Sequence, residues 1–171
     1  NVVHPRRISY HDLAEIVDVV FIAVHGRPGE DGEIQKRLEA VGLPYNGSGT
    51  DSSRITINKY ETNELLMRNG FSVARHALAD REEWKRDPEG FYRSIIQRFP
   101  FPFIAKPVDD GCSSAVKKIR NEEDLRAFSE MIFRVDEDLL AGPASVLQLK
   151  AKEEFPRKRQ FLLEELVTRK D

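Results

Sequence analysis

Hydrophobic and polar positions divide the chain into two stretches of different character. In the first, Val19-Val20-Phe21-Ile22-Ala23-Val24 is an unbroken apolar run rich in β-branched residues. Such a run predicts a strand buried on both faces, as in a parallel sheet covered by helices. It ends in the turn-rich His25-Gly26-Arg27-Pro28-Gly29-Glu30-Asp31-Gly32. A helix should follow, with Asp31 as its N-cap, Ile34, Leu38 and Val41 on one face, and Gly42 as its stop. Before this run, Asp12 to Ile16 suggests a short helix. After it come a short strand into the Gly47-Ser48-Gly49 turn and a short helix over Thr50 to Ile57.

In the second stretch the pattern changes. Asn58-Lys59 starts a helix carrying Leu65, Leu66 and Met67, and Gly70 ends it. Phe71 to Leu78 alternates as a strand should, with His76 half-exposed on it. Residues 80–99 read as helix, with Trp84, Phe91, Ile95 and Ile96 as the apolar face. Asp87-Pro88 breaks the pattern in the middle, which leaves room for two helices. Phe103-Ile104-Ala105-Lys106 is a strand, Gly111-Cys112-Ser113-Ser114 a turn, and Ala115 to Ile119 the returning strand. Asn121 caps a helix whose first turn is acidic (Glu122, Glu123, Asp124) and whose stripe is Leu125, Phe128 and Ile132. Residues 136–160 are weakly patterned, and Val146 to Leu149 fits strand or helix. Pro156 to Arg159 is basic but lies beside acids, and is read as a solvated loop in preference to a nucleic-acid patch. Phe161 to Val167 is a final strand with two central carboxylates. The order predicts an α/β piece over residues 1–56 and an α+β piece over residues 57–171, the change lying near Ile57.

Composition narrows the possible partners. The chain has 171 residues, of which 40% are hydrophobic and 33% charged, as in a globular domain. A net charge of −2 offers no basic field for nucleic acid or membrane. One cysteine excludes an internal disulfide and any multi-cysteine zinc site, and fits a reducing, cytoplasmic setting. No apolar run approaches the roughly 20 residues of a membrane span. The opening NVVHPRRISYHD is too polar for a signal peptide. The absence of an initial Met and the charged TRKD at the end suggest a piece of a longer protein.

Candidate chemistry gathers around Lys106. A lysine at the end of a strand, followed by a Gly/Ser turn, sets a compact cation beside backbone N–H groups and hydroxyls that can approach a phosphate. Alone, so short a motif reads more readily as an ordinary polar hairpin with a surface lysine.

Several stretches taken together resemble the D-alanine–D-alanine ligases of the ATP-grasp superfamily. Residues 25–32 look like that family's HGxxGEDG loop. Tyr45-Asn46-Gly47-Ser48-Gly49 looks like its Y-x-G-S-G turn, and Asn58-Lys59 like its Asp-Lys pair. Ile104-Ala105-Lys106-Pro107 resembles its V-K-P strand and Gly111-Cys112-Ser113 its G-S-S loop. Leu163-Glu164-Glu165-Leu166-Val167 resembles the segment that links the two halves of the ATP-grasp fold. The resemblance implies the end of a Rossmann-like pre-ATP-grasp domain over 1–56, and the first, central ATP-grasp subdomain over 57–171 with an insertion near 136–160.

It further implies a ligase that uses ATP and Mg²⁺ to join D-alanine or a similar amino acid to a second one through an acyl phosphate, in peptidoglycan precursor synthesis. Lys59 and Lys106 would hold the ATP phosphates, and Cys112 and Ser113 would belong to the loop closing over them. Glu164 would accept from the adenine amino group, with the backbone of Glu165 to Val167 along the adenine edge and Asp171 at the ribose. His25 and Glu30 would face the first substrate. The metal ligands are expected in a further half of the protein, so this chain alone would be inactive. Its oligomeric state is left open.

Departures from the family pattern accompany the matches. Cys112 stands for a serine, Ala115 for a glycine, and Glu165 for a frequent lysine. Asp109-Asp110 replaces a basic–acidic pair, which should repel phosphates if it faces them. Two alternatives therefore stay open: a dipeptide ligase of other specificity, and an inactive adenine-nucleotide-binding regulatory module. A structural α/β domain with chance glycine turns is a third.

Overall fold

The computed structural model describes residues 6–111, 113–150 and 153–168. They form two compact units, residues 1–57 and 58–171.

In the first unit, α1 (Tyr10–Ile16) is capped by Ser9, whose hydroxyl accepts from the Asp12 N–H at 3.1 Å. Helix α2 (Glu33–Ala40) begins one residue later than the sequence suggests. Its N-cap is Gly32, at φ +87°, while Asp31 still serves its first turn by accepting from the Glu33 N–H at 3.1 Å. Gly32 is required twice over. Its φ is one that L side chains rarely adopt, and a Cβ would stand 2.6 Å from the Thr50 carbonyl oxygen. That carbonyl belongs to the first residue of α3 (Thr50–Ile57), so the glycine lets the two helix starts touch. Glu39 completes the junction: it accepts from the Thr50 N–H at 3.1 Å, the Thr50 hydroxyl at 2.8 Å and the Tyr45 hydroxyl at 2.5 Å. These bonds hold the Glu39 carboxyl below the usual carboxylate range, the Tyr45 bond contributing most, and push the Tyr45 phenol up to about 12.

The apolar run Val19–Val24 is not the doubly covered strand that its composition suggests. It makes one parallel bridge, Val20 to Tyr45, and Val19, Phe21 and Val24 are exposed. A buried parallel strand needs partners on both edges and helices on both faces. Among the described residues this run has the Tyr45 bridge, a bond from the Val20 N–H to Pro44 O, and a pair with the Asn46 side chain, which accepts from the Ile22 N–H and donates to Ile22 O.

Among the described residues the second unit is a four-stranded, wholly antiparallel sheet with helices packed on it. Asn58 caps α4 (Lys59–Arg68) by accepting from the N–H groups of Tyr60 and Glu61. Strand β1 (His76–Asp80) starts later and ends later than the sequence suggests, because Ala79 and Asp80 still pair with Phe161 and Gln160. The Asp87-Pro88 break does make two helices, α5 (Arg81–Arg86) and α6 (Pro88–Arg98), with Asp87 capping the second. Strand β2 (Phe103–Pro107) pairs with β3 (Lys117–Ile119). The return strand is shorter than expected because Ala115, at φ 51°, cannot continue it. Helix α7 (Glu122–Phe133) follows its Asn121 cap. Residues Ala141–Val146 resolve as helix α8, which ends before Gln148 at φ 51°. Strand β4 (Gln160–Glu165), last in the chain, enters the middle of the sheet to give the order β1-β4-β2-β3.

Alternation decides what each strand shows to each side. Phe103, Ala105, Phe161 and Leu163 turn to one face, where they join Phe91, Tyr92, Ile95, Phe99, Phe128 and Phe133 in one buried cluster. Phe161 is its hub, with ring centroids 5.0 Å from Phe128 and 5.3 Å from Phe133. Arg126 ties α7 to α6 by a two-pronged bond to Glu89 (2.8 and 2.7 Å) and lies over the Tyr92 ring. Ile104, Lys106, Leu162 and Glu164 occupy the opposite face.

Phe161→Ala should therefore lower the stability of the second unit by about 3–5 kcal/mol, as a fully buried aromatic leaves a cavity. Urea denaturation of the two proteins checks this; a loss under about 1 kcal/mol would contradict the hub role.

Candidate functional site

Lys106 lies at the fourth position of β2, and Glu164 at the fifth of β4. The register pairs Lys106 with Leu162 and Ile104 with Glu164, so the two charged residues are diagonal neighbours on one face. The Lys106 ammonium meets Glu164 Oε2 at 2.5 Å, both side chains being mostly sheltered. Asn63, on α4, donates to the other oxygen, Glu164 Oε1, at 3.0 Å. Beside them is His76, whose side chain is 4% exposed. It is not the half-exposed strand residue that alternation alone suggests, because α4 covers it: Nε2 is 3.2 Å from Glu64, and the Tyr60 ring stands edge-on at 5.5 Å.

Lys59 opens α4. Its N–H donates to Val108 O at 2.9 Å, and its ammonium to Asp110 O at 2.5 Å. Lys59, Lys106, Gly111, Ser113 and Ser114 line one cleft of about 360 Å³ together with Asp110. The fold thus brings together both candidate phosphate lysines and the described part of the Gly/Ser turn. Ser113 and Ala115 both have positive φ, 56° and 51°, which curls the loop tightly. Two cations, loop hydroxyls and a mixed-polarity wall suit a polyanionic ligand.

The remaining candidates fall elsewhere. Glu165 is exposed, 3.5 Å from Arg75, and Val167 is 77% exposed. Cys112 and Asp171 lie outside the described residues. In the first unit, His25 Nδ1 is 3.2 Å from Glu30 Oε1, while Glu30 Oε2 accepts from the Gly26 N–H at 3.0 Å. Close packing shapes that loop: a Cβ on Gly29 would stand 2.3 Å from the Val24 carbonyl oxygen.

One contributor escaped the sequence reading. Lys158 bonds Asp109 at 2.8 Å and Asp110 at 3.0 Å, and its neighbour Arg157 bonds Val135 O and Glu137. The basic cluster is therefore partly spent on specific partners and is not simply a solvated loop. The acidic pair was the available signal, since two adjacent carboxylates near lysines demand a counter-ion.

Burial, then the nearby Lys106, lowers the Lys59 pKa below the ordinary lysine range. For Lys158 burial pulls the same way, but hydrogen bonds to Asp109 and Asp110 outweigh it and the pKa is raised. In linkage terms, Lys158 stabilises the fold fully below the unfolded lysine pKa, and that contribution is lost as pH rises through its folded value. Lys59 behaves oppositely, its unfavourable charge being relieved as pH rises from its folded value to the unfolded one. NMR titration of ¹³C-methylated lysines should find Lys59 losing its proton before Lys158; the reverse order would contradict this arrangement.

Comparison with known proteins places the chain. A model of the D-ala D-ala ligase N-terminus matches residues 2–48, and a model of the D-ala D-ala ligase C-terminus matches residues 65–144. The D-alanine–D-alanine ligase of Geobacter sulfurreducens is 36% identical over 128 residues, covering 75% of this chain and 38% of the relative. That of Syntrophobacter fumaroxidans is 38% identical over 132 residues, covering 74% and 41%. The chain thus spans about two fifths of the length of the curated relatives it matches. Among solved structures, the Bacillus anthracis D-alanine–D-alanine ligase complexed with ATP superposes with a TM-score of 0.65 at 24% identity, over 91% of this chain and 43% of that one. The VanG D-Ala:D-Ser ligase from Enterococcus faecalis gives 0.64 at 24%, over 89% and 37%. These two show a shared mixed α/β fold. With two family models in chain order over most of its length, and relatives above 35% identity, the chain belongs to the D-alanine–D-alanine ligase family.

Proposed function

We propose that this chain supplies the nucleotide-binding part of an ATP-dependent carboxylate–amine ligase of the D-alanine–D-alanine ligase type, acting in the cytoplasm on peptidoglycan precursors. The observation that carries the reading is the meeting of Lys59, Lys106, Gly111, Ser113 and Ser114 in one cleft, with Glu164 held on Lys106. In this reading residues 1–56 end a Rossmann-like pre-ATP-grasp domain. Residues 57–171 are the central ATP-grasp subdomain, and residues 136–160 are an insertion in it.

The chemistry asks for cations where charge accumulates. One substrate carboxylate takes the γ-phosphoryl group of ATP and releases ADP. The second substrate's amine then attacks the acyl phosphate and expels phosphate. Both steps are governed by positioning and by compensation of negative charge. Lys59 and Lys106 do this for the ATP phosphates, and Ser113 with its neighbour Cys112 closes the loop on them. Glu164 accepts from the adenine amino group, as a carboxylate can, while its bond from Lys106 sets its orientation. The backbone of Glu165 and Val167 borders the base, and Asp171 takes the ribose hydroxyls. His25 and Glu30 serve the first substrate, D-alanine or a similar amino acid. No nucleic acid or membrane enters the scheme, and no described helix is long and apolar enough to cross a membrane.

Magnesium fits the described residues less well. Among them no group of three or more His, Cys, Asp or Glu side chains could hold a metal ion.

Calorimetric titration with ATP and Mg²⁺ tests the proposal. Wild-type chain should bind. Lys106→Ala should bind about 10- to 100-fold more weakly, the loss expected for a charged hydrogen bond to phosphate. Unchanged affinity in the variant would remove Lys106 from the site. Absence of wild-type binding would overturn the nucleotide assignment for this chain.

A further inference from the structure

Lys158 belongs to none of the motifs on which the family resemblance rests, yet three hydrogen bonds hold it in place. Its backbone N–H donates to Ile132 O at 2.8 Å, near the buried end of α7. Its ammonium, on a side chain 23% exposed, lies 2.8 Å from Asp109 Oδ1 and 3.0 Å from Asp110 Oδ1. Lys59 grips the same loop through Val108 O and Asp110 O. The loop therefore brings two carboxylates to the edge of a cleft that two lysines line. Asp110 itself lines that cleft, and its Oδ2 is buried without a hydrogen-bond partner among the described residues.

Like charge at a polyanion site raises the energy of the bound state, and partial burial weakens the screening by water. An acidic pair here is tolerable only if something cancels it. We propose that Lys158 is a positioning residue of the nucleotide site, which neutralises Asp109 and Asp110 so that an acidic loop can border a phosphate-binding cleft. Lys59, Lys106 and Lys158 then balance Asp109, Asp110 and Glu164. Removing Lys158 leaves one uncompensated negative charge where phosphate must enter, and frees the loop to draw Lys59 and Lys106 towards its own carboxylates. The inference rests on the reading of this cleft as a nucleotide site, and adds to it a residue outside the recognised motifs.

A purely structural clamp would behave differently. Its removal would lower stability, and erasing the carboxylates as well would not restore ligand affinity. The test titrates inorganic pyrophosphate, and separately ATP with Mg²⁺, into the intact chain by calorimetry at low salt. Four proteins are compared: wild type, Lys158→Met, the double variant Asp109→Asn/Asp110→Asn, and the triple variant. Met keeps the aliphatic stem of the lysine. Lys158→Met should weaken both ligands about tenfold. The double variant should bind at least as tightly as wild type, and the triple should return to within about threefold of it. At about 0.5 M salt the differences should shrink, as the screening length falls to roughly 4 Å.

Equal affinities for wild type and Lys158→Met, or no recovery in the triple variant, would overturn the proposal. Should Lys158→Met fail to fold, the double variant decides alone: affinity below wild type overturns the proposal, and affinity at or above it upholds it. Pyrophosphate binding with the expected pattern but no ATP binding would uphold the role of Lys158 and overturn the adenine assignment. ATP binding indifferent to Lys158 would do the reverse. A wild type that binds neither ligand would overturn both.

Discussion

The diagonal contact between Lys106 and Glu164 depends on two strands keeping one register, and the rest of the second unit is arranged to keep it. Because side chains alternate along a strand, the register that buries Phe103, Ala105, Phe161 and Leu163 also places Lys106 and Glu164 together on the other face. A slip of one residue would put a lysine or a glutamate into the aromatic cluster, where an unpaired charge costs several kcal/mol. The apolar core thus fixes the polar site. Helix α4 completes the arrangement by bringing Lys59 and Asn63 to the same face, the first to the loop and the second to Glu164.

Charge on this face is nearly all assigned to a partner. Lys106 is held by Glu164, Lys59 by a loop carbonyl, and Lys158 by two loop carboxylates. A ligand with phosphates would exchange some of these internal partners for its own oxygens, so its net affinity is a difference between two good sets of contacts. This makes the identity of the loop residues matter. A basic–acidic pair and an acidic pair set different starting charges, and only the latter needs a lysine from the segment before β4.

Much of the second unit was legible in the sequence because its signals are local. Asn58 and Asn121 cap the helices they seemed to start, Asp87-Pro88 marks the break between two helices, and the apolar stripe of α7 is the buried one. What could not be read was pairing across long separations. Lys158 and Asp109 are 49 positions apart, and no periodicity relates them. The positive φ of Ala115 and Gln148 was equally hidden, since neither residue type announces it, and each shortened or redirected an element. In the first unit the run Val19–Val24 carried a β signature, but among the described residues it makes one isolated bridge and no strand, for want of pairing partners. Two glycines of the 25–32 loop, by contrast, are accounted for by close approach, Gly29 to the Val24 carbonyl and Gly32 to Thr50, while Gly26 has open space around it and a φ of +67°.

The order β1-β4-β2-β3 has a consequence for synthesis. The strand that must lie second is made last, after α7 and α8. Until residues 160–165 emerge from the ribosome, β1 and β2 cannot be bridged, and each presents an open edge beside the half-built aromatic cluster. Sheet closure then requires contacts between β1 and β4, whose partners are 80 to 88 positions apart, which is slow by nature. The nascent chain therefore passes through a long interval with sticky edges exposed, and its dependence on chaperones should be set by when β4 arrives, more than by the stability of the closed sheet.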